Sequence, residues 1–192
     1  MHFSQKYGTA LMPHLLELKP LFVNQQIFPP MFGWGSQESI QENQQGYAKR
    51  HGYEWECDYF DYARFNDLAV QALVDIREKL LGVDVLMCIG ADVMFTNWAI
   101  KIEDILKDGD SVVVAREKGG WWPINNDVMI YVNNEKTIAY MDRMIADFDI
   151  WKQHIWRQQQ HLWNLIIEDE VIRNTVRIVD SQVMNQSMKM HL

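Results

Sequence analysis

The spacing of hydrophobic positions changes several times along this chain, and each change marks an element. Val85-Leu86-Met87-Cys88-Ile89 is an unbroken apolar run after Asp84, the pattern of a strand buried on both faces. Gly90 then frees the backbone, and Asp92 follows just past the strand end. Asn97 is suited to cap a helix beginning near Trp98, with Ala99, Ile102, Ile105 and Leu106 turned inward. Upstream, Leu68, Ala69, Ala72, Leu73, Ile76 and Leu80 recur at helical spacing after Asn66, and Gly82 closes that helix. Residues 53–59 alternate as a half-buried strand should. Before them a helix is expected from Ser36, its N-cap, to about Arg50, with Gly52 as its stop.

The remaining pattern continues the alternation. Residues 21–28 read as a first strand ended by Pro29-Pro30, and residues 111–115 and 127–132 as two more. Glycines punctuate the loops at 31–36 and 118–123. Ile138, Met141, Ile145 and Phe148 form one helical stripe, a second helix falls within 156–167, and residues 175–180 suit a late strand. Strands alternating with helices imply βαβ units, so the expected class is α/β, a mixed, mostly parallel sheet flanked by helices. At 192 residues the chain suits a single domain, with a core over 21–185 and residues 1–20 as an N-terminal extension.

Composition narrows the partners. A formal net charge of −8 argues against a general grip on nucleic acid, whose phosphates call for a basic face. A small phosphorylated ligand needs only one local positive site or a metal. Cys57 and Cys88 offer neither a disulfide framework nor zinc spacing. No stretch is long enough for a membrane span and no signal pattern opens the chain, so the expected setting is cytoplasmic. The eight Trp are high for this length; they serve as core or as flat faces for sugars and bases.

Candidate chemistry sits at strand ends, where open α/β sheets collect ligands. Asp92 serves there either as a turn cap or as the holder of a cation that in turn holds phosphate oxygens. Arg64 is a surface arginine or a partner for a nucleotide phosphate. Trp121-Trp122-Pro123 beside Gly119-Gly120 offers a stacking platform for an acceptor sugar, or packs into the core.

Four pieces, in order, resemble the GT-A glycosyltransferases, most closely the galactosyl- and mannosyltransferase group. Tyr47-Ala48-Lys49-Arg50-His51-Gly52-Tyr53 is similar to its "YAxxHGY" junction. Ile89-Gly90-Ala91-Asp92-Val93-Met94-Phe95-Thr96-Asn97 is similar to its "hDADxxhxN" strand end. Asn125-Asn126-Asp127-Val128-Met129-Ile130 stands where the strand facing the donor sugar would be, and Gln158-Gln159-Gln160-His161-Leu162 resembles a "D/E-Q-x-x-L" helix start. The chain departs from the pattern at Gly90, where the first acid of Asp-x-Asp would stand, at Asp127 in place of a small glycine, and at Gln158 in place of an acid. The family's late histidine has a counterpart only in His191.

The resemblance implies a single-domain GT-A fold and metal-dependent transfer of a hexose from a nucleotide-diphospho-sugar, UDP-linked, to a glycan or glycoprotein, with retention at the anomeric carbon. By the same resemblance Asp92 binds Mn²⁺ or Mg²⁺, Asn125 and Asp127 meet the donor, and Gln159, with Asp127, serves the reacting carbon. Apart from the resemblance, Arg64 is a candidate donor contact and Trp121 and Trp122 are candidate acceptor contacts. A glutamine at a helix start also commonly faces solvent. The alternative is a catalytically degenerate domain of the same fold that binds nucleotide or glycan without turnover.

Overall fold

Burial alternates residue by residue along the central strand, and that alternation sorts the whole molecule into layers. The computed structural model describes residues 20–26, 37–59, 65–90, 93–117, 123–155 and 157–184. In it strand β3 (Val85–Gly90) sends Leu86 and Cys88 into one hydrophobic cluster and Val85, Met87 and Ile89 into another. A strand with two such faces must be covered on both.

The described strands form one sheet. Strands β1 (Pro20–Gln26), β2 (Glu54–Tyr59), β3, β4 (Val112–Arg116), β5 (Ile124–Val132) and β6 (Val176–Val179) lie in the order β2-β1-β3-β5-β4-β6. The pairings β1–β2, β1–β3 and β4–β6 are parallel; β5 runs antiparallel to both neighbours. The sheet is therefore mixed and mostly parallel, as the alternation of elements predicts.

One face is covered by α2 (Phe65–Leu80), α4 (Glu135–Ala146), α5 (Phe148–Trp151), α6 (Arg157–Glu168) and α7 (Glu170–Thr175), whose Leu73, Ile76, Met141, Trp151, Leu162 and Ile172 share the first cluster. The other is covered by α1 (Gln37–His51) and α3 (Ile102–Ile105), through Tyr47, Ala48, Ile102 and Ile105. The short α8 (Ser181–Met184) follows β6. Ile89 and Ile130 are almost wholly removed from water, and truncating either to Ala costs about 2–5 kcal/mol. No helix among the described residues is long and apolar enough to cross a membrane.

Several sequence expectations hold closely. Gly52 ends α1 at φ 74°, a left-handed conformation that glycine adopts without strain, and Tyr53 N–H returns to Ala48 O at 2.9 Å. The expected N-cap Ser36, the end of the first strand at 27–28, and Trp156 lie outside the described residues.

The helix expected at Trp98 does not form, and the reason lies in α1. Its side chains occupy the carbonyls that a helix there would use. His51 Nε2 donates to Trp98 O at 2.9 Å and Tyr47 OH to Ile100 O at 2.6 Å, while Ile102 N–H turns to Tyr53 OH at 3.2 Å. Asn97 instead closes a local turn, accepting from Ala99 N–H at 3.0 Å, and Ala99 is exposed. Helix begins only at Ile102, where Asp104 reaches back to Lys101 N–H at 2.9 Å.

Candidate functional site

The carboxyl ends of the parallel strands gather along one edge of the sheet, and the reversed strand brings its amino end to the same edge. Register places Gly90 beside Gln25, and Gln25 beside Asp58. On the other side of β3, Ile89 faces Val128, while Arg116 at the end of β4 faces Ile124 at the start of β5. The edge thus brings together the end of the Asp92 strand, the Asn125-Asn126-Asp127 stretch and the end of β4.

The β4–β5 ladder breaks there. Val114 faces Met129, yet the next residue, Ala115, faces Asn125, so three residues of β5 have no counterpart in β4. Such bulges re-aim side chains and are common beside active sites. Within the bulge, Asn125 Oδ1 accepts from Asp127 N–H at 2.7 Å, and Asn125 Nδ2 donates to Glu117 Oε2 at 2.7 Å. Glu117 is held in turn at the backbone, its N–H donating to Pro123 O at 3.0 Å. Asn125 is half-buried and committed to this turn at both ends, whereas Asp127 is exposed.

Helix α6 delivers the glutamines. Its first residue, Arg157, lies at φ 42°, a left-handed backbone that non-glycine residues adopt at a cost of about 1–2 kcal/mol. Local strain of this kind recurs at functional sites. Gln158 Nε2 donates to Ala69 O at 3.0 Å, tying the helix to α2, so the residue standing where an acid was expected is a structural tie. Gln159 Nε2 donates to Ile124 O at 2.5 Å, immediately beside the bulge. That bond fixes the orientation of the Gln159 amide at this end of the bulge. One turn further on, the buried His161 donates from Nε2 to Asp147 Oδ2 at 2.9 Å.

Asp147 also accepts from Arg143 Nε at 2.6 Å. Burial alone raises the pKa of this carboxyl, but the hydrogen bonds from Arg143 and His161 outweigh it and hold Asp147 below its ordinary range. The group orients the start of α6 from behind and takes no part in the edge itself.

The segment after Asp92 is clamped by α1. Asn43 donates to Phe95 O at 3.1 Å and accepts from Phe95 N–H at 2.7 Å. The Tyr47 ring stacks on Phe95, centroids 3.8 Å apart and planes 4° from parallel. Gly46 lets Trp98 approach so closely that an added Cβ would lie 2.6 Å from its Cη2. Tyr53 donates to Glu103, and burial followed by that bond raises its pKa well above the ordinary phenol value. The Tyr47–Tyr53 motif therefore anchors the loop that leaves the Asp92 strand end.

A cavity of about 170 Å³ lies under that loop, lined by Tyr47, Phe95, Thr96, Asn97 and Met184 among others. It is smaller than the roughly 300 Å³ at which small-ligand sites begin, so it holds at most a fragment of a nucleotide sugar.

Of the sequence-predicted residues, Asn125, Asp127 and Gln159 meet at the sheet edge. Asp92, Arg64, Trp121 and Trp122 lie outside the described residues. Glu117 and Gln44 belong to the neighbourhood and escaped sequence reading. Among the described residues no group of three or more His, Cys, Asp or Glu side chains is placed to hold a metal ion.

No protein-family model matches this chain, and neither does any curated protein. Solved structures do. One of them is the crystal structure of a glycosyltransferase involved in the glycosylation of the major capsid of PBCV-1. The match has a TM-score of 0.62 at 14% sequence identity and covers 84% of this chain and 82% of that one. The chain thus shares its mixed α/β fold with a glycosyltransferase.

Proposed function

We propose that this protein is a GT-A glycosyltransferase that moves a hexose from a nucleotide-diphospho-sugar, UDP-linked, to a glycan or glycoprotein acceptor. One observation carries the reading. Gln159 is fixed by its nitrogen to Ile124 O, beside the bulged Asn125-Asn126-Asp127 stretch and across the sheet edge from the end of the Asp92 strand. The four motifs of the sequence and the fold shared with a glycosyltransferase support it.

The chemistry follows from that placement. Breaking the bond between a sugar and a diphosphate builds positive charge at the anomeric carbon. An amide oxygen held in orientation by its own N–H bond stabilises such charge without reorganising during the reaction. Gln159 Oε1 fills that role. Asp127, exposed at the bulge, holds sugar hydroxyls, and Asn125 shapes the turn that presents it. Arg64 meets the donor phosphates, and Trp121 and Trp122 offer the acceptor a stacking face. Asp92 would hold Mn²⁺ or Mg²⁺, which when bound neutralises charge on the diphosphate. Cys57 and Cys88, the latter buried in β3, are not joined in a disulfide, which suits a reducing, cytoplasmic setting.

Thermal shift with nucleotide and metal tests this directly. UDP with Mn²⁺ at a hundredfold its Kd adds about 2.7 kcal/mol, a melting shift on the order of 5–10 °C for a chain of this size. Asp92→Asn should abolish most of the metal-dependent part while the fold survives. Absence of any shift with UDP, GDP or their sugars would sink the proposal, and binding without turnover would restrict it to a binding domain.

A further inference from the structure

We infer that Gln44, on α1, is a positioning residue that staples Gly90 to Val93, on either side of Ala91 and Asp92 in the chain. The inference rests on the proposed function for what Asp92 does, but the staple itself stands on geometry. Gln44 is completely buried, at 0% exposure, a rare place for a glutamine. Its Nε2 reaches Gly90 O at 3.4 Å and Val93 O at 2.8 Å. Those two carbonyls flank Ala91 and Asp92, and Val93 N–H closes back on Gly90 O at 3.2 Å. One amide nitrogen with two hydrogens thus ties Gly90 O to Val93 O.

A buried carboxamide is a costly way to fill space, because its polar atoms must be satisfied there. An apolar residue would fill the same volume but take the side-chain donor away from Val93 O, and leave Gly90 O only the Val93 N–H. Two neighbours on the same helix extend the grip along the loop. Asn43 pairs with both backbone groups of Phe95, and Tyr47 holds Ile100 O. Gln44 bonds to Gly90 and Val93, the residues on either side of the Ala91-Asp92 pair, and on the proposed function it acts on Asp92 through them.

The experiment uses the full chain, with two variants and two readouts. Gln44→Met keeps the length of the side chain and removes its donor. Amide exchange at Val93 should quicken about tenfold on losing a bond of ordinary strength, and UDP–Mn²⁺ affinity should fall by a similar factor. UDP affinity without metal should not change. Gln44→Glu supplies the second arm. Its protonated carboxyl donates one bond and its ionised form none, so Val93 protection and UDP–Mn²⁺ affinity should both recover as pH falls through the raised range of a buried carboxyl.

Wild-type exchange at Val93 in Gln44→Met would overturn the staple. Faster exchange with undiminished UDP–Mn²⁺ affinity would overturn the positioning role and leave only a structural tie. If Gln44→Met does not fold, the pH series of Gln44→Glu decides: recovery with acid supports the inference, and pH-independent behaviour refutes it. Wild-type protein that binds no UDP with Mn²⁺ would overturn the positioning of a donor ligand. That result is told apart from a failed staple because Val93 exchange still separates wild type from variant.

Discussion

Gly46→Ala sets two well-measured effects against each other, and the structure decides which wins. In a helix interior, Ala is favoured over Gly by about 1 kcal/mol. At position 46 the new methyl would lie 2.6 Å from Trp98 Cη2 and 3.2 Å from Cζ3, about 1 Å inside ordinary carbon contact. A free surface tryptophan would swing aside at little cost. Trp98 is not free: its Nε1 donates to Phe95 O at 2.9 Å, and its own carbonyl accepts from His51 at 2.9 Å. Overpacking of this kind costs about 1–3 kcal/mol, so the net effect is a loss of about 1 kcal/mol, or some 2–4 °C in Tm. Urea denaturation gives the sign through its midpoint. The displaced ring pulls on Phe95, which the Tyr47 ring and Asn43 hold beside the Asp92 strand end, so UDP–Mn²⁺ affinity should drop as well. In a Trp98→Ala background the clash is gone, and the same Gly46→Ala change should stabilise by about 1 kcal/mol. A stabilising Gly46→Ala in the wild-type background, equal to the propensity gain, would refute the reasoning.

Tyr53→Phe should cost about 1–3 kcal/mol, because Ile102 N–H and Glu103 both lose their partner, and urea midpoints measure it. Asp147 has its pKa lowered in the folded state, so it stabilises above the ordinary carboxylate range and that contribution is lost as pH falls through the lower folded value. Asp147→Asn should therefore weaken the fold near neutral pH and flatten its acid loss below about pH 4, which melting curves across pH test. Gln159→Leu orphans the buried Ile124 carbonyl and removes the amide oxygen; turnover should fall by about 100-fold or more while UDP–Mn²⁺ affinity changes little, and unchanged turnover would remove Gln159 from the chemistry. Trp122→Ala should raise the acceptor KM and spare UDP affinity, whereas an unfolded product would mean that this Trp is core.

What the sequence discloses is what short-range periodicity carries. The run Val85 to Ile89 announces a doubly covered strand, the stripe Leu73, Ile76, Leu80 announces α2, and Gly52 announces the end of α1, since each depends on neighbours a few residues away. The turn at Asn97 was misread because its fate is set by His51, Tyr47 and Tyr53, side chains some fifty residues distant in sequence. The reversal of β5 left a usable trace. The connection from Arg116 to Ile124 is too short for a parallel crossover, which takes a dozen or more residues. Gln44 left none, because one buried glutamine on a polar helix looks like every other until the loop it serves is in place. Gln159 was found through family resemblance, and spacing alone would have left it on the surface.

The reversal of β5 has a consequence for how such a molecule diversifies. In an all-parallel sheet, a loop at the carboxyl edge is fastened there at one end and must lead back across a face. Here the connection from β4 to β5 begins and ends at that edge, with Glu117 N–H bonded to Pro123 O across its base and Asn125 bonded to Glu117 beside it. A segment joined at such a base has its ends held whatever it contains, and doubling the length of a flexible loop costs only about 0.6 kcal/mol in closure entropy. New residues can be inserted between Glu117 and Pro123 without disturbing β3, Gln159 or the bulge. The length of that one loop is thus free to change by insertion, while the neighbouring strand ends and the start of α6 stay as they are.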